Sequence, residues 1–209
     1  MKQRHLQGYG SHYYFWDYLL QYNIDFKDKT FLEIGSTRLV DYKNENYWNI
    51  FDSSGTFYKN SKEYGFNFTT VDMDENNTKL LKDKYFEINA ISQPGEDFTK
   101  QYSGKVDFLY IDAFDLEKTT HSDSRKGRYK DVLGVDINKE NCWKMHLECC
   151  QNLIHKFAPG AIICFDDVFD VITFEGKGKT AVPFLLDNGF VIEYFRKDPG
   201  MLILKKEDK

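Results

Sequence analysis

Three carboxylates stand at the ends of two apolar runs. Asp112 follows Val106-Asp107-Phe108-Leu109-Tyr110-Ile111, and Asp166-Asp167 follow Ala161-Ile162-Ile163-Cys164-Phe165. In an open α/β sheet the carboxyl ends of neighbouring parallel strands converge on one crevice, and ligands bind there. Three acids in such a crevice repel one another unless protons or a cation relieve them, and a bound divalent ion is the simplest relief. Two further stretches could hold a ligand by hydrogen bonding. Phe31-Leu32-Glu33-Ile34-Gly35-Ser36-Thr37 runs from a strand into a glycine turn, where amides are free and the backbone can approach a ligand closely. The plain alternative is an ordinary strand-to-helix turn. Thr70-Val71-Asp72-Met73-Asp74 offers an acid placed to accept from a ribose 2′- and 3′-hydroxyl pair, although aspartate there also caps helices.

Only a sheet can bring these groups together. Apolar runs place strands at 30–34, 67–71, 85–89, 107–111, 161–165, 190–195 and 201–205. The first five are continuous apolar stretches separated by helix-length gaps, which implies parallel pairing buried on both faces. Residues 196–200 are too few for a helical crossover, so the last two strands form an antiparallel hairpin. The expected fold is α/β, a Rossmann-like three-layer sandwich with a seven-stranded, mostly parallel sheet and an antiparallel C-terminal hairpin. Ser11 can cap a first helix, and Ser54 a second that ends at Gly65. Further helices are expected at 75–84 and 181–186. Trp143, Leu147, Cys150, Ile154 and Phe157 form a helical stripe within 140–157, which Ala158-Pro159-Gly160 stops. The chain, 1–209, reads as one domain, with an N-terminal helix in 1–29 and a long polar segment, 116–139, that suits a lid over the acceptor.

A formal charge of −5 and the lack of a long basic block argue against a nucleic-acid partner. No apolar run approaches the ~20 residues that a membrane helix needs, and the opening Met-Lys-Gln-Arg-His leads into polar sequence instead of a signal-peptide core. Cys142, Cys149, Cys150 and Cys164 form no disulfide framework. A soluble cytoplasmic protein with reduced thiols is expected, and a homodimer is compatible with the sequence.

Asp72 lies further beyond Gly35 than the ~20 residues of a dinucleotide fingerprint, and no Gly-x-Gly-x-x-Gly is present, which weakens a nicotinamide reading and leaves a nucleoside one. The order of the pieces resembles the class I S-adenosylmethionine-dependent methyltransferases over nearly the whole chain. Phe31 to Ser36 looks like their first motif, Val71-Asp72 like their ribose-binding acid, and Ile88-Asn89-Ala90 like the loop that reads the adenine. Val106 to Asp112 looks like their fourth motif, Phe157 to Ile163 like their usual approach to strand five, and the terminal hairpin like their reversed seventh strand. The resemblance implies S-adenosylmethionine as cofactor and Glu33, Gly35, Ser36, Asp72, Met73, Asn89, Ala90 and Asp112 as its contacts. Within that family, Ile111-Asp112-Ala113 and Asp166-Asp167 resemble the metal-dependent O-methyltransferases of the catechol and macrolide-sugar types. That likeness implies Mg²⁺ held by Asp112, Asp166 and Asp167, with Asp112 also part of the catalytic group.

The pattern departs from the family in two places. Gly35-Ser36-Thr37-Arg38 lacks the second glycine of the first motif, and a polar insertion runs from 39 to 53, so methionine-carboxylate contacts could come from Ser36 or from amides near Ser54-Gly55-Thr56. Where catechol-type enzymes carry a lysine base, this chain has Asp115; His121, in the lid, is the candidate base, ahead of Lys118, Asp115 and His146, and a surface-loop histidine with no role is the alternative. Cys142, His146 and Cys149 share a helical face but lack a C-x-x-C pair and a fourth ligand, so packing is the simpler role. Glu175-Gly176-Lys177-Gly178-Lys179 reads as a flexible surface turn, and Arg125, Lys126, Arg128 and Lys130 beside Tyr129 as a solvated charge run or a grip on an anionic acceptor. The expected activity is Mg²⁺-assisted O-methyl transfer to a small hydroxylated acceptor such as a sugar or natural product. A nucleotide-dependent oxidoreductase and a non-catalytic nucleoside-binding module are the alternatives.

Overall fold

The structure is a computed structural model that describes residues 10–22, 24–37, 52–116 and 123–208. In chain order the elements are α1 (Ser11–Gln21), β1 (Thr30–Ile34), α2 (Ser53–Tyr64), β2 (Asn67–Asp72), α3 (Glu75–Lys84), β3 (Asn89–Ser92), α4 (Gly95–Gln101), β4 (Val106–Ile111), α5 (Asp123–Leu133), α6 (Lys139–Leu153), β5 (Phe157–Asp166), α7 (Ala181–Asp187), β6 (Phe190–Arg196) and β7 (Met201–Lys206). The strands form one sheet in the order β3-β2-β1-β4-β5-β7-β6. Pairing is parallel from β3 through β5 and antiparallel at β5–β7 and β7–β6. The expected seven-stranded, Rossmann-like sheet with a reversed hairpin is therefore present.

Alternation along the strands builds two cores. Phe31, Phe108, Tyr110, Ile162, Cys164 and Ile203 point to one face, and Leu32, Leu109, Ile111, Ile163, Phe165 and Leu202 to the other. The first face is packed with rings: Phe31 and Phe57 lie 4.5 Å apart between centroids, and Phe15 stacks on Tyr110 at 6.0 Å. The second is aliphatic and sulfur-rich, with Met145, Cys149 and Cys150 of α6 against the sheet. All four cysteines are free and buried. Among the described residues, no helix is long and apolar enough to cross a membrane.

Several boundaries differ from the sequence reading. The third strand is not 85–89 but Asn89–Ser92. Tyr85 instead closes α3 and its hydroxyl bonds Asp52, while Phe86 is 93% exposed, so the apolar letters there do not mark a strand. The 140–157 helix stops at Leu153, and Ala158-Pro159-Gly160 falls within β5, where the register against β4 shifts. Helix α4 adds to the expected elements, and α5 lies within the 116–139 segment expected to be polar loop. Ser11 is the first residue of α1, after Gly10 as N-cap, and its hydroxyl meets Tyr110 Oη at 2.6 Å. Asp52, not Ser54, caps α2, accepting from Gly55 N at 2.7 Å.

Candidate active site

The turn after β1 is held by the loops around it. Gly35 N donates to Val71 O at 2.8 Å, and Asp112 N donates to Ile34 O at 2.9 Å. Gly35 has φ +93°, and a Cβ on it would lie 2.5 Å from Ala113 N, so this position tolerates only glycine. The close approach sets the β1 and β4 loops side by side. They border an open cleft that Ile34, Val71 and Ala113 also line.

Of the cofactor contacts expected from sequence, Gly35, Ser36, Asp72, Met73 and Asp112 line this cleft. Asp72 accepts from Ser36 N at 3.1 Å, Ser36 Oγ at 2.8 Å and Asp74 N at 2.7 Å. Burial raises its pKa, and those hydrogen bonds oppose the rise. Glu33, Asn89 and Ala90 stand elsewhere. Glu33 is wholly buried under α2, where Ser53 Oγ and Ser54 Oγ each donate to it at 2.6 Å. Asn89 donates to Thr69 Oγ1 at 2.9 Å, and Ala90 is packed in the aromatic core. The displacement of β3 explains the last two: the chain beyond its carboxyl end runs from Gln93 into the start of α4, and Pro94, Gly95 and Glu96 line the cleft instead. Asn77 and Met145 are further lining residues that motif reading did not find.

The amides at the start of α2 are already used. Ser54 N donates to Thr37 Oγ1 at 3.0 Å, Gly55 N to Asp52 Oδ1 at 2.7 Å, and Thr56 N to Asp52 O at 3.0 Å. Of the two sources of carboxylate contacts left open by the sequence, only Ser36 borders the cleft.

Helix α5 forms part of the opposite wall through Arg128, Tyr129 and Leu133. Tyr129 Oη accepts from Asp115 N at 3.0 Å, and its ring meets Phe114 edge-on at 4.6 Å. Arg128 Nη1 lies 2.7 Å from Oδ2 of Asp74, the residue that caps α3. The basic run is thus largely committed to acids, with Lys126 on Asp123 at 3.1 Å and Lys130 near Asp136 at 3.7 Å. His121 and Lys118 lie outside the described residues, as does most of the 39–53 insertion.

At the β4–β5 end the three acids come together. Asp112, Asp166 and Asp167 each offer an oxygen within 4.8 Å of the others'. Burial, followed by the charges of Asp112 and Asp167, pushes the Asp166 pKa well above the carboxylate range. Lys177, expected on a surface turn, is instead only 3% exposed; its Nζ bonds Asp112 Oδ1 and lies 3.0 Å from Asp167 Oδ2. Burial alone would lower its pKa, but Asp112, Asp167 and Asp166 outweigh burial and hold the ammonium well above the ordinary lysine value. Two neutral imidazoles flank this region. His146, pushed down to about 3 mainly by burial, holds Cys142 O at 2.8 Å through Nδ1. His12 is pushed down to about 4 by burial against the opposing charges of Asp52 and Asp112. Cys142 and Cys149 are not metal ligands: burial raises both thiols, and Cys149 Sγ packs on Met145 Sδ at 3.5 Å.

The oxygen set suits a hard cation such as Mg²⁺ in donor chemistry, since all three groups are carboxylates converging on one point. The same oxygens also suit an ammonium, and Lys177 holds two of them.

Neither a protein-family model nor a curated protein matches the sequence. Solved structures do match in shape. SMU.1697c from Streptococcus mutans, solved in complex with SAH, aligns over 99% of both chains at TM-score 0.56 and 10% identity. A protein assigned as an rRNA methylase from Clostridium thermocellum aligns over 94% of both at TM-score 0.55 and 12% identity. One assigned as a caffeoyl-CoA O-methyltransferase from Staphylococcus aureus aligns over 94% of this chain and 82% of its own at TM-score 0.53 and 15% identity. The chain has the Rossmann-like fold of these methyltransferase structures. At such identities the likeness speaks for the fold, and function has to be argued from the site.

Proposed function

We propose that this chain transfers the methyl group of S-adenosylmethionine to a hydroxyl oxygen of a small acceptor, such as a sugar or another natural product, with Mg²⁺ assisting. One observation carries the reading: Asp112 belongs both to the wall of the cleft and to the three-acid cluster. A methyl donor in the first and an acceptor oxygen at the second would meet at that residue, and holding two reactants together is the larger part of such catalysis. Asp72 would accept from the ribose hydroxyls, Gly35 and Ser36 would face the methionine end, and the loop from Pro94 to Glu96 would take the role expected of Asn89 and Ala90. Asp112, Asp166 and Asp167 would hold Mg²⁺, which when bound lowers the pKa of a coordinated hydroxyl and orients it. The lid, 116–139 with α5, would exclude water, and His121 within it is the candidate for taking the hydroxyl proton.

A small acceptor is favoured over a nucleic acid by charge: three acids at the point of transfer and a net −5 repel a phosphate backbone. The reversed β7 counts against the oxidoreductase alternative, which calls for a sheet without that hairpin. Titration calorimetry with S-adenosylhomocysteine tests the proposal. Binding is expected, together with a Mg²⁺ heat that Asp167→Ala removes. No uptake of the nucleoside would overturn the methyl-transfer reading, and nicotinamide-nucleotide binding in its place would point to the oxidoreductase. Nucleoside binding with a Mg²⁺ response indifferent to Asp167→Ala would remove the metal.

A further inference from the structure

Lys177 is built into the acid cluster by its backbone. Its N–H donates to Asp167 O at 3.0 Å, next to an antiparallel bridge between Val168 and Gly176. Gly176 has φ +114°, and any Cβ there would run into the Asp167 carbonyl oxygen, so the turn exists only with glycine at this point. Trp143 Nε1 of α6 clamps the same turn by donating to Gly176 O at 3.0 Å, and Val182 N ties Gly178 O to α7 at 2.9 Å. Nearby Lys179, by contrast, reaches out to Thr173 O at 3.2 Å in an exposed bond. A lysine is almost never buried without a charged partner, and this one is aimed by a fixed loop at two acids. An ammonium offers only donors, so it seeks the same oxygens as a metal ion does.

We propose that Lys177 is a tethered competitor for the cation site: its Nζ closes Asp112 and Asp167 against each other, and a divalent ion binds only by displacing it. This rests on the metal half of the function proposed above. Both cations use Asp112 and Asp167, and their like charges repel at such range even where each acid turns its second oxygen. His146 lies in the same charged region. Its Nε2 is buried without a hydrogen-bond partner, and the ring lies close enough for the charges of Lys177 and Asp167 to act on it. The device would offset part of the acids' mutual repulsion in the metal-free protein and make metal uptake dependent on ion concentration.

The test compares Mn²⁺ binding, read from the loss of the free-ion signal in electron paramagnetic resonance, between the wild-type chain and Lys177→Gln. The variant is expected to bind at least tenfold more tightly. Because it leaves three acids without their internal cation and could fail to fold, the pair Asp166→Asn and Asp166→Asn/Lys177→Gln repeats the comparison with one acid fewer, and the same direction is expected. Unchanged or weaker binding on losing Lys177 overturns the proposal, because the lysine would then be organising the ligands, not competing for them. Absence of Mn²⁺ binding in every variant also overturns it. S-adenosylhomocysteine calorimetry on the same samples keeps the two proposals apart: nucleoside binding with the wrong Mn²⁺ order removes the competitor alone, and no nucleoside binding removes methyl transfer while the Mn²⁺ order still stands or falls by itself.

Discussion

Two groups of acids sit beside this sheet, and they differ in setting: Glu33 and Asp52 are buried, while the side chains of Asp112 and Asp167 are 24% and 45% exposed. Under α2, Glu33 takes the hydroxyls of Ser53 and Ser54, while Asp52 takes Gly55 N, Thr37 Oγ1 at 3.1 Å, Lys84 Nζ at 2.9 Å and the Tyr85 hydroxyl. At the β4–β5 end, Asp112 and Asp167 both meet Lys177 Nζ, and Asp166 is crowded by the charges of both acids, with the Ser11 hydroxyl opposing the effect. The first group spreads its charge over local hydroxyls, an amide and a lysine, and its work is to fasten the start of α2 to β1. The second concentrates charge that the fold only partly relieves. Like charges crowded together lower stability unless a cation or a proton relieves them.

The sharpest way to break this comparison is to neutralise one acid in each group. Asp52→Ala removes the cap of α2 and strands Lys84 and Tyr85, and should destabilise the protein by about 3–5 kcal/mol in urea unfolding. Asp166→Asn should have the opposite sign, raising stability by about 1 kcal/mol at neutral pH, since a carboxyl whose pKa is raised on folding lowers stability above its ordinary range and an amide carries no such cost. If both substitutions destabilise to the same degree, the two groups are equally structural and the distinction fails.

A smaller effect sharpens the picture of Glu33. Burial, against the opposing Ser53 and Ser54 bonds, raises its pKa from 4.5 to about 8. Between those values the folded chain holds a proton that the unfolded chain has released, so this group's contribution falls as pH rises through the window and is fully present only below it. The loss should be on the order of 3 kcal/mol between pH 5 and pH 8. Glu33→Gln, which is neutral and of the same shape, should flatten that slope when unfolding free energies of the two proteins are compared across the range. A variant as pH-dependent as the wild type would mean that Glu33 titrates normally and that the hydroxyls hold a carboxylate.

Much of this was legible in the residues, and what was not has a common cause. The sheet could be read because strands buried on both faces demand unbroken apolar runs, and Phe31-Leu32 or Ile162-Ile163 can serve nothing else. The acid triad could be read because strand ends converge. Lys177 could not: between two glycines it looks like a solvated turn, and nothing local reveals that its partner Asp112 lies 65 residues earlier. Tyr85 misled for the same reason, since its hydroxyl is drawn to Asp52 across the fold and pulls the apolar letters around it out of strand register. Helix α5 lacks an apolar stripe and carries its charges on all sides, so the basis for placing it is Tyr129 over Phe114 and Arg128 on Asp74, both tertiary contacts.

That last contact yields the smallest of the expected effects. Arg128 belongs to α5 and Asp74 caps α3, so their ion pair fastens α5 beside Asp72 and Met73 at the cleft. Both side chains are mostly shielded, at 19% and 8% exposure, so the pair is worth more than a surface bridge but short of a fully buried one. Arg128→Ala should weaken S-adenosylhomocysteine binding by about fivefold to tenfold, roughly 1 kcal/mol, with most of the change in the dissociation rate because a looser wall releases the ligand sooner. Stopped-flow or surface-plasmon measurement of the off-rate checks this, with Arg128→Lys expected to recover part of the loss through charge alone. If the affinity falls through the on-rate instead, the arginine steers the ligand inward and does not latch the wall, and α5 would then owe its placement to Tyr129 packing on Phe114.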